Sequence, residues 1–248
     1  MIQLINLIKR YQNHEVLRGV NLTVARGEVC VLLGPSGGGK STLLRTINGL
    51  EQFDSGSIVV SGVTLNAKHG PEQETALLAI RQKVGMVFQQ FNLFPHRSVL
   101  ENVTEAPIHV LKRSPDEAMT RARELLRRVG MADKENARPT SLSGGQQQRV
   151  AIARTLAMDP DAILFDEPTS ALDPRTTAEV IDVMSDLAAG GQGMIVVTHA
   201  MNFARTVAHQ VHILHAGQIA ESGPPQQIFE NPQQQITRDF LSAQGRGP

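Results

Sequence analysis

The stretch Gly34-Pro35-Ser36-Gly37-Gly38-Gly39-Lys40-Ser41-Thr42 constrains this chain more than any other. It follows an unbroken apolar run, Val29-Cys30-Val31-Leu32-Leu33. It precedes a segment, Thr42 to Asn48, that sets Leu43, Leu44 and Ile47 on one helical face before Gly49. A run apolar at every position predicts a strand buried on both faces of a parallel sheet. Strand, glycine loop and helix together make a phosphate-binding loop of the form G-x-x-x-x-G-K-S. Glycines let backbone N–H groups turn toward a phosphate with no Cβ in the way, and the helix N-terminus adds unpaired donors and partial positive charge. Lys40 is placed to reach the β- and γ-phosphates of a nucleotide, and the Ser41 hydroxyl to be a ligand of Mg²⁺. The sequence therefore predicts an α/β fold with a nucleotide site at the end of one buried strand.

The remaining composition narrows the partners. The chain has 248 residues, 41% of them hydrophobic, enough for one large domain or a domain with an inserted lobe. Lys+Arg and Asp+Glu both number 24, so no net charge draws it to nucleic acid. Cys30 is the single cysteine and is expected to be a small buried side chain. Met1-Ile2-Gln3 opens directly into strand-like sequence, without a signal peptide's basic and apolar regions. No apolar run approaches the length of a bilayer span, so a membrane role requires a partner.

Along the chain, residues 2–24 alternate as two strands, with Tyr11, the only tyrosine, between them. An aromatic ring here could stack on adenine, but its residue type alone favours surface or edge-strand packing. After the phosphate-loop helix come short strands at 56–60 and 62–65. A polar loop then leads to a helix carrying Leu77, Leu78 and Ile80, and a strand, Val84 to Phe88, ends at Gln89-Gln90. Residues 98–157 contain no convincing strand. Ser114-Pro115-Asp116-Glu117 is a capping box that opens a helix with an apolar face from Ala118 to Val129. The other face of that helix, Arg121, Arg123, Arg127 and Arg128, is read as solvated rather than as a binding patch.

The segment Ala162-Ile163-Leu164-Phe165-Asp166-Glu167 returns to the core as a short apolar strand ending in two carboxylates. Asp166 suits a Mg²⁺ site, and Glu167 suits orienting or deprotonating a water at the γ-phosphate. Asp173-Pro174 begins another helix, expected to turn Val180, Ile181, Met184 and Leu187 inward. Met194 to Val197 is a buried strand with Thr198-His199 at its carboxyl end. His209, His212 and His215 lack the spacing of a zinc site. Residues 224–248 hold one or two short helices and a tail, Gln-Gly-Arg-Gly-Pro, expected to fray.

The run Leu142-Ser143-Gly144-Gly145-Gln146, taken with the phosphate loop and the ILFDE strand, resembles the signature of ATP-binding cassette (ABC) ATPases over essentially the whole chain. The resemblance implies a P-loop core with a mainly parallel sheet, an antiparallel β subdomain and an inserted helical subdomain. Residues 1–97 and 158–248 would form the core with the β subdomain, and 98–157 the helical one. It implies ATP and Mg²⁺ as ligands. Tyr11 matches the adenine-stacking aromatic and Gly34, Pro35, Ser36, Gly37, Gly38, Gly39, Lys40, Ser41 and Thr42 the phosphate loop. Gln89 matches the Q-loop glutamine, Asp173 closes the D-loop, His199 is the switch histidine and Glu167 the catalytic carboxylate, with Lys40 beside them. Ser41, Gln89 and Asp166 would hold the metal. Ser143, Gly144, Gly145 and Gln146 would meet the γ-phosphate of another subunit, so the resemblance implies a head-to-tail homodimer around two ATP molecules.

Residues 87–103 (VFQQFNLFPHRSVLENV) together with FDEPTSALDP and VTHAMNFAR look most like importers of polar amino acids. The implied partners are transmembrane permease subunits and, through them, a solute-binding protein, at the cytoplasmic face of the inner membrane. Two positions depart from that group: Ala200 stands where glutamate usually follows the histidine, and His215, in His215-Ala216-Gly217, marks a stretch where an acidic residue often precedes the glycine. Alternatives are an importer of another solute, a lipoprotein or efflux system, a soluble cassette protein acting on ribosomes or DNA, and a non-cassette P-loop kinase.

Overall fold

The structure, a computed structural model, describes residues 1–67 and 70–244. The chain opens with an antiparallel pair, β1 (Ile2–Tyr11) and β2 (His14–Val24), and the turn Ala25–Glu28 delivers it into β3 (Val29–Leu33). Helix α1 (Lys40–Ile47) follows the glycine loop and begins at the lysine itself, two residues earlier than the apolar pattern predicts. Next come β4 (Ser55–Val60), β5 (Val63–Asn66), α2 (Pro71–Lys83) and β6 (Val84–Val87). In α2 only Ile80 is buried and Leu78 stands 63% exposed, so this helix has a thin apolar contact rather than a broad face.

Three helices follow without an intervening strand: α3 (Val99–His109), α4 (Pro115–Arg128) and α5 (Gly144–Leu156). All three start with the same reciprocal device. Ser98 with Glu101, Ser114 with Glu117 and Ser143 with Gln146 each satisfy two orphan N–H groups of a helix N-terminus. On α4, Ala118, Ala122, Leu125 and Leu126 are buried. Of the outer arginines, Arg121 pairs with Asp159 and Glu124, and Arg123 with Glu135.

The remainder alternates strand and helix up to β9 and then closes with a strand and two helices: β7 (Ala162–Asp166), α6 (Pro174–Ala189), β8 (Gly193–Val197), α7 (Met201–Thr206), β9 (Gln210–His215), β10 (Gln218–Gly223), α8 (Pro225–Glu230) and α9 (Gln235–Gln244). Val180, Met184 and Leu187 of α6 are buried as predicted, and Ile181 lies half-buried at the edge of that face. The tail expected to fray falls, past Gln244, outside the described residues.

Two sheets result. One is antiparallel, in the order β2-β1-β4-β5; the other is β10-β9-β3-β8-β7-β6, parallel except for the β9–β10 hairpin. All residues of β3, β7 and β8 are buried, which is why their sequences lack alternation. Alternation survives as a division of labour. Val29, Val31 and Leu33 face one core with α5, α6 and the helices α3 and α4, whereas Cys30 and Leu32 face a second core with α1 and the antiparallel sheet. The helices of residues 98–157 thus share their core with the parallel sheet. The phosphate loop leaves the carboxyl end of β3, with β8 and β9 on either side, where open α/β sheets place ligands.

Candidate functional site

The loop after β3 is shaped by close backbone approach. Gly34 has φ 142°, and a Cβ there would collide with the Leu214 carbonyl of β9. Lys40 is 7% exposed, and its ammonium donates to the carbonyls of Gly34 and Pro35 at 2.8 and 3.0 Å. Burial lowers the lysine's pKa, and the Glu167 and Asp166 carboxylates partly restore it. Helix α1 then carries Ser41 and, one turn on, Arg45 to the end of β7. There the Ser41 hydroxyl donates to Asp166 Oδ1 at 2.6 Å, while Arg45 Nε and Nη2 both donate to Oδ2, at 3.1 and 2.8 Å. Asp166 is only 3% exposed, so these three bonds hold its carboxylate in one orientation.

Glu167 leaves the strand with φ 49°, while its N–H still pairs with the Val197 carbonyl of β8 at 2.9 Å. Adjacent carboxylates therefore part: Asp166 turns to α1 and Glu167 lines the open cleft. His199, just past β8, sets Nε2 3.1 Å from Glu167 Oε1. Burial raises the Glu167 carboxyl, and Asp166 adds to it, against the opposing pull of His199 and Lys40. A carboxylate held above its ordinary range beside a phosphate loop is suited to proton transfer near neutral pH.

The cleft, about 350 Å³, is lined by Tyr11, Ser36, Lys40, Ser41, Glu167 and His199 among others. Gly37, Gly39 and Thr42 also line it, so residues far apart in the sequence converge there. Tyr11, at the end of β1, is 45% exposed, with the Lys9 ammonium 4.5 Å from its ring centroid. Gln89 lies exposed just past β6 and outside the lining.

The signature residues also stand apart from it. The Ser143 hydroxyl accepts from Gln146 N at 3.3 Å, and Gln146 Oε1 accepts from Ser143 N at 2.9 Å; the serine's own hydrogen stays free to donate. Gly144 and Gly145 begin α5 with N–H groups that have no intrahelical acceptor. A Cβ on Gly145 would lie 2.8 Å from Thr176, which fixes the signature against the turn that starts α6. At that turn Asp173 is a helix cap, accepting from Arg175 N, Thr176 N and the Thr176 hydroxyl at 3.0, 3.1 and 2.6 Å.

Arg45, Lys9 and Glu51 are the members of this neighbourhood that sequence reasoning missed. A signal existed for two: Arg45 is four residues after Ser41 on a helix, and Lys9 two residues before Tyr11 on a strand. The partner of each comes from a distant segment.

Residues 17–170 match the family model described as ABC transporter. The chain is 50% identical to the arginine transport ATP-binding protein ArgV of Corynebacterium glutamicum, covering 98% of each. It is 51% identical to the glutamate/aspartate import ATP-binding protein GltL of Escherichia coli K12, again over 98% of each. Among solved structures, the dimeric post-hydrolysis state of the ATP-binding cassette MJ0796 bound to ADP and Pi superposes with a TM-score of 0.79 at 36% identity. That match covers 91% of this chain and 99% of the other.

Proposed function

The chain belongs to the ABC transporter family and is an ATPase of it, and from that premise we propose that it is the energy-coupling subunit of an importer of polar amino acids. The observation that carries the mechanism is the convergence of Lys40, Ser41, Glu167 and His199 at one cleft beside the phosphate loop, with Asp166 bonded to Ser41 beneath it. ATP lies with its triphosphate over residues 34–42 and its base toward Tyr11. The paired hydroxyl and carboxylate of Ser41 and Asp166 are hard oxygen donors that fit Mg²⁺; these two residues, with Gln89 as a further ligand, would hold the ion, which would supply charge neutralisation to the triphosphate. Glu167 accepts the proton of the attacking water, or orients it, and His199 holds the carboxylate.

One chain offers the phosphate loop in the cleft and Ser143 outside its lining. A second copy, related head to tail, supplies Ser143, Gly144 and Gly145 to the γ-phosphate, with Gln146 and Asp173 shaping that facing surface. Residues 98–157 act as the helical subdomain, with 1–97 and 158–248 supplying the core plus the antiparallel β subdomain. Among the described residues no helix is long and apolar enough to cross a membrane. Attachment to the cytoplasmic face is therefore assigned to permease subunits, with a solute-binding protein beyond them. The two named relatives handle amino acids of opposite charge at nearly equal identity to this chain, so the reading extends to polar amino acids as a class.

The test is Glu167→Gln, which keeps shape and removes the base. Hydrolysis should fall about 100- to 10,000-fold. ATP, but not ADP, should then hold a dimer through size-exclusion chromatography, and Ser143→Arg should abolish it. A Glu167→Gln protein that stays monomeric in saturating ATP would sink the two-chain site.

A further inference from the structure

Tyr11 stands at the end of a strand face that runs from core to cleft. Leu7, Lys9 and Tyr11 alternate along β1, and exposure rises from 0% at Leu7 to 8% at Lys9 and 45% at Tyr11. A lysine this buried requires a partner, and Lys9 has one in Glu51, 2.9 Å away. Its Nζ also lies 4.5 Å from the Tyr11 ring centroid, within cation–π range. Tyr11 lines the phosphate cleft, and Lys9, whose ammonium lies over the ring, stays out of that lining. Glu51 comes from the segment just after α1. Its N–H donates to the Arg45 carbonyl at 3.1 Å, which ties it to the end of α1, and its carboxylate and the Thr42 hydroxyl flank the Tyr11 hydroxyl. The helix that follows the phosphate loop thereby also brings Thr42 and Glu51 to the ring.

We propose that Lys9 and Glu51 are positioning residues that lock Tyr11 into a preassembled stacking platform for the purine of the bound nucleotide. The proposal rests on the reading of Tyr11 as the base-stacking side chain. An apolar residue at position 9 would continue the Leu7 face without the desolvation of an ammonium. The retained charge draws the ring toward one orientation and removes electron density from the face that meets the base, while Glu51 prevents the ammonium from escaping to solvent. Ordering the ring before binding removes part of the cost of immobilising it on the nucleotide.

The chain has one tyrosine and no tryptophan, so intrinsic fluorescence reports Tyr11 alone. ATP should quench it in the natural protein, and inorganic tripolyphosphate, the probe for the phosphate loop alone, should not. Lys9→Met should weaken ATP binding about three- to tenfold while leaving the tripolyphosphate dissociation constant unchanged. The pair Lys9→Met with Glu51→Gln, which strands neither charge, should behave the same way and keep the natural melting temperature if Lys9→Met alone does not fold. In a Tyr11→Ala background Lys9→Met should have no further effect. Equal loss of ATP and tripolyphosphate binding would make Lys9 a structural residue and overturn the proposal. So would unchanged ATP binding in both Lys9 variants when Tyr11→Ala weakens it, a result that leaves the stacking reading intact. Unchanged ATP binding in Tyr11→Ala itself would remove the stacking reading.

Discussion

Arg45→Met tests whether the orientation of Asp166 is built from outside the cleft. Asp166 is 3% exposed and its carboxylate accepts three hydrogen bonds, two of them from Arg45 to the same oxygen. Methionine keeps most of the side-chain length and removes both donors. A buried carboxylate that loses a charged partner forfeits about 1.5–3 kcal/mol in a charge-assisted hydrogen bond. The loss would be larger were the pair fully enclosed, but the arginine side chain is 49% exposed, so water can approach the freed oxygen. Taking the range as it stands, the melting temperature should fall by about 3–12 °C for a chain of this size. Chemical denaturation gives the free energy directly. In an Asp166→Asn background, where the acceptor is uncharged, the same substitution should cost about half as much or less. A second consequence follows at the nucleotide. Binding of ATP without metal should change little, whereas the stimulation of that binding by Mg²⁺ should decline, because the carboxylate is no longer aimed at Ser41. A melting temperature unchanged by Arg45→Met, or an equal loss in both backgrounds, would refute the reasoning.

The raised Glu167 carboxyl makes hydrolysis fall in acid with a midpoint above the ordinary glutamate value of 4.5, readable as the acid limb of the kcat/KM–pH profile. The same shift has a stability consequence: ionised Glu167 is penalised in the folded state at neutral pH, and the penalty disappears as pH falls through its folded pKa. Glu167→Gln should therefore melt higher than the natural protein near neutrality and lose that advantage in acid; a pH-independent difference would contradict the assignment. Ala216, at φ 47°, and Gly217, at φ 78°, form the two-residue turn between β9 and β10. Ala216→Asn should stabilise the protein by about 1 kcal/mol, measured by denaturant unfolding, because asparagine tolerates that conformation and alanine does not. Phe94 is 44% exposed on a loop whose backbone is clamped by Asn102, with Phe94 N–H donating to Asn102 Oδ1 at 2.8 Å. Phe94→Glu should abolish transport in reconstituted vesicles yet leave the ATPase of the isolated protein; loss of both would place the loop in the core.

Local chemistry makes much of this protein legible in its sequence. The phosphate loop was readable because strand, glycines, lysine and helix are contiguous, and each acts through backbone geometry that its own residue types dictate. Ser114 with Glu117 could be read as a cap for the same reason, and β3, β7 and β8 as buried strands from their unbroken apolar runs. Roles that depend on chain-distant neighbours were not legible. Leu78 carries the residue type of a core position and is exposed, because burial depends on what packs opposite a helix. Gly34 is required by the Leu214 carbonyl, a contact with a strand that arrives near the end of the chain. Tertiary folding alone turned Asp166 to α1 and Glu167 to the cleft, by a positive φ between two neighbours of like charge. It likewise brought Glu51 to Lys9 and Arg45 to Asp166. Sequence periodicity reports which face of an element is apolar, but the identity of an ion pair is decided by which elements meet, and that is a property of the assembled sheets.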